Sequence, residues 1–279
     1  MDYKSSIAVL LTCHNRKDKT ISSLTALYQC IIPEKFTFDV FLVDDGSTDG
    51  TSEAITSQFP SVNIIMGNGD LYWNRGMHLA WERASIAKDF DYYLWLNDDT
   101  FLVKEAISDL LSQNFPNAIV CGSTQSSESY NITYGGFNRN SNQLIIPDGT
   151  FQKADYCNGN CVLIPRKVFQ VLGNLDYIFH HAVGDFDYSL RAKKNGIDLF
   201  LAPRYIGFCE SHSEVPRWRS VSLSLRTRLK SLYSASSGCY PPQFFVFDKR
   251  HNGFFVACFH YCTIHLRAII PSLWNLKLK

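Results

Sequence analysis

The first half of the chain alternates short apolar runs with stretches in which apolar residues recur at helical spacing. The runs are rich in β-branched and aromatic residues, and they predict strands at residues 7–11, 38–43, 62–66 and 92–96. Between them, apolar residues repeat every three or four positions, as in the segment from Met77 to Ala87, which predicts helices with one apolar face. Repeated strand and helix units predict the α/β class, with a mainly parallel, doubly wound sheet flanked by helices.

The second half continues this pattern more weakly, and the end of the chain differs in character. Helices are predicted from Pro165 to Gly173 and from about Asp185 to Asn195, with Gly196 just beyond the second. From about residue 221, several Lys and Arg residues precede an aromatic-rich stretch. We interpret residues 1–220 as one domain and residues 221–279 as a helical, aromatic and basic C-terminal tail.

Polar residues directly follow three of the predicted strands. The first strand is followed by Thr12 to Arg16, the second by Asp44 to Gly50 and the fourth by Asn97 to Thr100. In open parallel sheets, ligands bind in the crevice outside the carboxyl ends of the strands. We therefore expect these three segments to meet at one site.

Asn97, Asp98 and Asp99 bring an amide and two carboxylates to the end of a buried strand. Hard oxygen ligands suit Mg²⁺ or Mn²⁺, which need only one or two protein carboxylates when substrate phosphates complete the coordination. The alternative is an Asx-rich turn that caps a following helix, with Thr100 as the N-cap.

Asp44 and Asp45 also have two interpretations. Consecutive carboxylates at a strand end can accept hydrogen bonds from a nucleobase N–H or from ribose hydroxyls. The segment up to Gly50 is equally an ordinary turn that leads into a helix. Because both acidic segments follow strands of the same predicted sheet, together they favour a ligand-binding crevice.

Composition narrows the class of protein. Apolar residues make up 46 % and charged residues 19 % of the chain, which excludes a disordered protein. The 27 basic and 26 acidic residues give a net charge of +1, so the whole chain has no field that would attract nucleic acid. Nine cysteines at irregular spacings favour a reducing, cytoplasmic location.

Five segments of the chain together match a known family. They are Val9 to Arg16, Val43 to Thr51, Leu96 to Asp99, Gly159 to Arg166, and Gly184 to Gly196. In content, order and spacing these segments resemble the inverting family 2 glycosyltransferases of bacterial polysaccharide type, over about residues 5–215. The resemblance implies a Rossmann-like GT-A fold, with a nucleotide-binding half at about 1–120 and an acceptor-binding half at about 121–220.

The resemblance also implies roles for individual residues. The donor nucleotide sugar would be bound by Thr12, His14, Asn15, Arg16, Asp44, Asp45, Arg75, Asn97, Asp98, Arg217 and Arg219. Asp99 stands at the last position of the family's Asp-X-Asp motif and would bind a divalent cation, Mn²⁺ or Mg²⁺. Asn97 departs from the first position of that motif. His212 stands where some relatives have a third metal ligand, although a lone histidine is more often structural.

Asp185 matches the acidic residue that acts as general base in the family. An inverting transfer is a single displacement, in which a carboxylate takes the proton of the attacking hydroxyl while cations hold the departing diphosphate. The alternative for Asp185 is a helix N-cap. Asp187 lies two residues on and about 200° around the same helix, and it offers a control position.

The resemblance implies transfer of one sugar from a UDP-, dTDP- or GDP-linked donor to a glycan or lipid-linked saccharide acceptor, in the synthesis of a surface polysaccharide. Two alternatives remain: a sugar-phosphate nucleotidyltransferase, and a sugar-nucleotide-binding protein without turnover. The first normally has a Gly-rich basic loop after its first strand, which Thr12 to Arg16 lacks. The binding protein without turnover remains an alternative because Asn97 departs from the first position of the Asp-X-Asp motif.

The tail has alternatives of its own. Lys249 and Arg250 precede the aromatic stretch from Phe254 to Trp274. This order fits a segment that lies at the inner face of the cell membrane, with aromatic residues in the bilayer surface and basic residues toward anionic lipid. It fits equally a helix that packs on the catalytic domain or forms a homo-oligomer.

Overall fold

The structure is a computed structural model that describes residues 4–211 and 215–275. The strands are β1 (Ser5–Cys13), β2 (Phe36–Asp44), β3 (Asn63–Met66), β4 (Tyr92–Leu96), β5 (Phe101–Leu102), β6 (Ile119–Gln125), β7 (Ile132–Tyr134), β8 (Gly136–Asn138), β9 (Gln143–Leu144), β10 (Gln152–Ala154), β11 (Tyr156–Cys157), β12 (Cys161–Pro165) and β13 (Leu199–Phe208). The α-helices are α1 (Lys17–Tyr28), α2 (Thr51–Gln58), α3 (Tyr72–Ala87), α4 (Ala106–Leu110), α5 (Arg166–Leu172), α6 (Gly184–Lys194), α7 (Leu225–Leu232), α8 (Pro241–His251) and α9 (Phe254–Ile269). Short 3₁₀ turns cover Arg217–Arg219 and Pro271–Asn275.

The central sheet confirms the predicted mainly parallel architecture. In the described part of the chain its strand order is β10-β13-β6-β12-β4-β1-β2-β3, and β5 and β7 pair with β13 and β6. The strands from β4 to β3 are parallel neighbours. Strand β12 is antiparallel to both β4 and β6. A small second sheet contains β11, β8 and β9.

The register of the sheet brings the functional segments to one edge. Cys13 at the end of β1 pairs with Asp44 at the end of β2. Because β12 runs in the opposite direction, its first residue, Cys161, pairs with Leu96, the last residue of β4. The loop that precedes β12 therefore joins the polar ends of the parallel strands.

The core lies on both faces of the sheet, since successive strand residues point to opposite sides. In β1, Val9 and Leu11 pack in the layer that contains Leu24 of α1. Leu10 packs in the other layer with Trp81 of α3. All of these side chains are at most 1 % exposed, so the sheet is a rigid support for its edge.

Most predicted elements are confirmed, and the main difference is the beginning of α3. This helix begins at Tyr72, five residues before the apolar repeat, because the carboxylate of Asp45 accepts hydrogen bonds from the backbone N–H groups of Leu71 and Tyr72. Helices α5 and α6 end before Gly173 and Gly196, which have φ values of 69° and 71°. Glycine adopts this left-handed conformation without steric cost.

The tail is helical, as the sequence predicts, and α8 is bound to α6 through a buried ionic cluster. Asp187 of α6 is fully buried and accepts hydrogen bonds from Arg191 Nε (2.9 Å), Arg250 Nη1 (2.7 Å) and His251 Nε2 (2.8 Å). Arg250 Nη2 also donates to Asp176 Oδ2 at 2.8 Å. Among residues 4–211 and 215–275, no helix combines the length and apolar character needed to cross a bilayer.

Candidate active site

A cleft of about 800 Å³ opens at the edge of the sheet where β1, β2 and β4 end. The residues predicted from the sequence that line it are Thr12, His14, Arg16, Asp45, Asn97, Asp98, Asp99 and Asp185. These residues come from β1, β2, β4 and α6, which are far apart in the sequence. The predicted crevice is therefore present, and most of the predicted side chains meet in it.

Arg16 connects the loop after β1 with the acidic pair after β4. Its guanidinium donates from Nη1 to Asp98 Oδ1 at 2.9 Å and from Nη2 to Asp99 Oδ2 at 2.6 Å. Burial raises the pKa of Asp98 to about 7, and the charge of Arg16 opposes that rise. The two carboxylates thus share one cationic partner, which stabilises them in a site where water is largely excluded.

The acidic pair fits a divalent cation in part. The described residues contain no group of three or more His, Cys, Asp or Glu side chains placed to hold a metal ion, and His212 lies outside the described residues. Asp98 and Asp99 supply two carboxylates, and the buried Asp98 Oδ2 has no hydrogen-bond partner among the described residues. Two carboxylates suffice for Mg²⁺ or Mn²⁺ when diphosphate oxygens and water complete the shell.

Asn97 has a different role from the two carboxylates beside it. Its Oδ1 accepts a hydrogen bond from Trp73 Nε1 at 2.7 Å, so the amide orients an indole that lines the cleft. The alternative of a turn that caps a helix is wrong, because β5 and not a helix follows Thr100. The segment is a turn at a strand end that presents its side chains to the cleft.

Asp45 and Asp44 are separated by the fold. Asp45 lines the cleft, and its carboxylate accepts hydrogen bonds from the backbone N–H groups of Gly69, Leu71 and Tyr72 at 2.8–3.1 Å. Asp44 is fully buried, accepts from Ser47 N (2.8 Å) and from Ser52 Oγ, and is not among the lining residues. For Asp44 the geometry matches the turn interpretation.

The residues after β1 shape the wall of the cleft. His14 lines it, and its Nδ1 lies 2.6 Å from the backbone oxygen of Asp45. Asn15 is not a lining residue; it ties the β1 and β2 loops together by accepting from Thr48 N at 2.7 Å. Thr12 packs directly on Gly76 of α3, where an added Cβ would lie 2.2 Å from the Thr12 hydroxyl. That glycine lets the helix approach the strand end.

Asp185 is the second residue of α6 and is not its N-cap, so the N-cap alternative is wrong; the N-cap is Val183. Its Oδ2 accepts from Gly159 N at 2.9 Å, and its Oδ1 accepts from Phe186 N at 2.8 Å. Burial raises the pKa of Asp185 to about 6, and the hydrogen bonds to Gly159 and Phe186 limit the rise. Within the described residues, Asp185 forms no ion pair.

Four other predicted residues do not lie among the residues that line the cleft. Arg75 donates to the backbone oxygen of Tyr177 at 2.9 Å and stacks on that ring at 4.5 Å. Arg217 and Arg219 belong to the short 3₁₀ turn after the undescribed residues. Asp44 is enclosed by its own loop. The structure therefore does not bring these side chains to the wall of the cleft.

Several residues of the cleft have no counterpart in the sequence prediction. The cleft is also lined by Tyr156, Phe186 and Arg139, and Tyr156 stacks on Phe137 with ring centroids 4.8 Å apart. Trp73 is the second residue of α3, and no motif in the sequence singles it out. No sequence pattern indicates a place for Arg139 in the cleft, because its contacts with His251 O and Asn252 Oδ1 join segments more than 100 residues apart.

Asp187 is unsuitable as a neutral control for Asp185. The position lies on the other side of the helix, as expected, but it is the centre of the ionic cluster that binds α8. Burial alone would raise the pKa of Asp187, whereas the hydrogen bond from His251 and the charges of Arg191 and Arg250 hold it below its ordinary value. A substitution there would affect folding.

Comparison with known proteins supplies the family. The family model for Glycosyl transferase family 2 matches residues 8–173. No curated protein matches the chain significantly in sequence.

Two solved structures show the same fold at low identity. The chain is similar to the mannosyltransferase PcManGT from Pyrobaculum calidifontis in complex with GDP-Man and Mn²⁺, with a TM-score of 0.55, 14 % identity, and coverage of 99 % of this chain and 77 % of that one. It is also similar to S. aureus TarS 1-349, with a TM-score of 0.57, 11 % identity, and coverage of 98 % and 93 %.

The family match spans more than half of the chain and includes the ends of β1, β2 and β4. The chain belongs to glycosyl transferase family 2 and has the GT-A fold.

Proposed function

We propose that the protein transfers one sugar from a nucleoside diphosphate sugar to an acceptor hydroxyl with inversion at the anomeric carbon. One observation carries the proposal: a single cleft contains the acidic pair Asp98 and Asp99 with Arg16, and also Asp185, which forms no ion pair within the described residues. A displacement needs a cationic region for the departing diphosphate and a separate base for the nucleophile. Asp185 would be the base, and the acidic pair would supply the cationic region by binding a divalent cation.

Asp185 is the proposed general base. At neutral pH a carboxyl group with a pKa of about 6 is mostly ionised, yet it is more basic than an ordinary aspartate. Both of its oxygens accept backbone hydrogen bonds, which hold the carboxylate in place at the beginning of α6. It would take the proton of the acceptor hydroxyl as the bond to the sugar forms.

Arg16, Asp98 and Asp99 form the proposed diphosphate side of the cleft. Asp98 and Asp99 would hold Mn²⁺ or Mg²⁺, which supplies positive charge against the departing diphosphate when bound. Arg16 adds a positive charge at the same place, where its Nη1 and Nη2 donate to Asp98 and Asp99 and orient the two carboxylates. The PcManGT complex contains GDP-Man and Mn²⁺, which supports a nucleotide-sugar donor with a divalent cation.

The part of the cleft lined by Tyr156 and Phe186 is the proposed acceptor side. Their rings meet edge-on with centroids 5.0 Å apart, and Phe137 stacks on Tyr156, so they form an aromatic wall of the kind on which sugar rings pack. We propose a glycan or lipid-linked saccharide as acceptor, at the inner face of the cell membrane, in the synthesis of a surface polysaccharide.

The stereochemistry of transfer tests the proposal. Thermal-shift measurements with UDP-, GDP- and dTDP-sugars and Mn²⁺ would identify the donor, and NMR of the first product would give its anomeric configuration. We expect the configuration opposite to that of the donor. Retained configuration would overturn the inverting mechanism, and binding of a donor without any hydrolysis or transfer would favour a binding protein without turnover.

A further inference from the structure

Helix α9 has an exposed apolar face. Its outward residues follow one another at spacings of four and three positions, so at 100° per residue they lie within about 80° of one another. Phe255 is 85 % exposed, Phe259 is 61 % exposed and Ile269 is 50 % exposed. We call this face the apolar stripe; its residues are Phe255, Phe259, Cys262, Leu266 and Ile269.

The opposite face of α9 is packed on the rest of the tail. Ala257, Ile264 and Ala268 are at most 6 % exposed, and Ile264 and Ala268 share a core cluster with Leu232 of α7. Arg228 of α7 donates from Nε to the backbone oxygen of Ala268 at 2.8 Å. The helix is therefore held along its length, with the apolar stripe directed away from the protein.

The tail is strongly basic, although the whole chain is almost neutral. Residues 221–279 contain eight Lys and Arg residues and one acidic residue, Asp248, which gives a net charge of +7. Residues 1–220 contain 19 basic and 25 acidic residues, a net charge of −6. Asp248 is buried against His260, whereas Lys249 is exposed. Arg228 is buried and Arg250 is paired with Asp187 and Asp176, so these two do not add to the exposed charge. Arg226 and Lys230 are exposed one turn apart on α7.

We propose that the apolar stripe docks on the surface of an anionic lipid bilayer. An exposed apolar face could dock on a lipid bilayer or on a second copy of the chain, and the positive charge of the tail decides between these two partners. A second copy would bring the exposed basic residues of two tails together, which costs repulsion, whereas anionic headgroups attract the same residues. Apolar side chains that enter the interface beside basic residues are the combination that holds a surface helix on a membrane.

The docking goes beyond the chemistry of the cleft. It rests on the proposed function in one respect: a lipid-linked acceptor would be reached at the membrane surface on which the apolar stripe docks. Vesicle binding needs no donor, so it can be measured separately from turnover.

Co-sedimentation of the full chain with vesicles tests the proposal. We expect binding to vesicles of phosphatidylcholine with phosphatidylglycerol at low salt, weak binding to phosphatidylcholine alone, and release at about 0.5 M salt. Phe255→Ser with Phe259→Ser should weaken binding roughly tenfold or more, because two aromatic side chains no longer leave water. Arg226→Gln with Lys230→Gln should weaken binding to the anionic vesicles alone.

The matched control is Ile86→Ser with Val171→Ser, at two exposed apolar positions outside the tail that are 74 % and 61 % exposed. This pair should bind vesicles as the unaltered chain does, and all variants should keep their donor hydrolysis and melting temperature.

The proposal is overturned if the unaltered chain stays in the supernatant, or if the Phe255 and Phe259 variant binds as well as the control. A dimer abolished by that variant, without vesicle binding, would assign the apolar stripe to a second copy. Vesicle binding without any donor turnover would reject the proposed function and leave the docking intact.

Discussion

Asp185 and the pair Asp98 and Asp99 differ in what surrounds them, although all three are carboxylates of one cleft. The pair shares the guanidinium of Arg16, whereas Asp185 has only backbone N–H partners among the described residues. Burial raises the pKa of Asp98 to about 7 and that of Asp185 to about 6, so basicity alone does not separate them. The ion pairs with Arg16 favour a phosphate or cation site at the pair, which leaves Asp185 as the proton acceptor.

The pKa of Asp185 predicts the pH dependence of transfer. The base acts only when ionised, so kcat at saturating donor and cation should be level at high pH and fall about tenfold per pH unit below about 6. The sign follows from the raised pKa: protonation, and with it the loss of rate, occurs at higher pH than for an ordinary aspartate. Initial rates from pH 4.5 to 9 measure this. A rate that stays level down to pH 5 would contradict the assignment.

Asp187 predicts a loss of stability. Asp187→Asn removes the charge that balances Arg191 and Arg250 in a buried site, and breaking a buried pair costs about 3–5 kcal/mol. At roughly 2–4 °C per kcal/mol the melting temperature should fall by about 10 °C. Asp109→Asn is the control, since Asp109 is also buried and paired, with Arg204, but outside the cleft and the tail.

The pH dependence of this cluster has the opposite sign to that of Asp185. Because the folded-state pKa of Asp187 is lowered, its contribution is complete above the ordinary aspartate pKa of about 4 and is lost as the pH falls through the folded value. The stability difference between the unaltered chain and Asp187→Asn should therefore shrink at acid pH. An equal difference at pH 7 and pH 3 would contradict the ionic account.

At the scale of elements, the end of β4 and the beginning of α1 form the proposed diphosphate side together. Asp99→Asn, or EDTA in place of Mn²⁺, should weaken binding of the nucleoside diphosphate at least tenfold and leave the nucleoside itself nearly unaffected, since a cation bridges phosphates. Calorimetric titration of both ligands measures this, with Asp109→Asn as control. Equal diphosphate affinity in EDTA and Mn²⁺ would contradict a cation at this site.

The residues at the strand ends could be predicted from the sequence, whereas their contacts with α3 and within their own loops could not. The period of the apolar residues predicts β1, β2 and β4, and in a parallel sheet their polar ends must meet, so Arg16, Asp98 and Asp99 could be placed from local pattern alone. Trp73 and Asp44 could not. The bond from Trp73 to Asn97, and the enclosure of Asp44 by Ser47 and Ser52, depend on loop geometry that no spacing records.

At the scale of the whole molecule, the tail belongs to the folded body. The sequence left open whether the tail lies at a membrane or packs on the catalytic domain, and the structure shows that α8 packs on it. Arg250 and His251 bind Asp187, and Arg139 binds Asn252. These contacts join segments 63 to 113 residues apart in sequence. Such pairs leave no local pattern, which is why the sequence predicted the helices of the tail and not their attachment.

Two truncations four residues apart test this attachment. A chain that ends at Asp248 loses Arg250 and His251 and leaves Asp187 with one of its three donors, whereas a chain that ends at Asn252 keeps all three. Both lose α9. We expect the shorter chain to melt at least several degrees lower or to be insoluble. Equal melting temperatures would contradict the account, and Arg250→Gln in the full chain carries the same test if neither truncation folds.

The substitution Asp185→Asn tests the central claim most directly. Asn keeps the size of the side chain and can accept one of the two backbone hydrogen bonds, but it cannot take the proton. With donor, cation and acceptor saturating, transfer should fall by roughly 10²-fold or more, while donor affinity and melting temperature stay close to those of the unaltered chain. Turnover near that of the unaltered chain in Asp185→Asn would contradict the account.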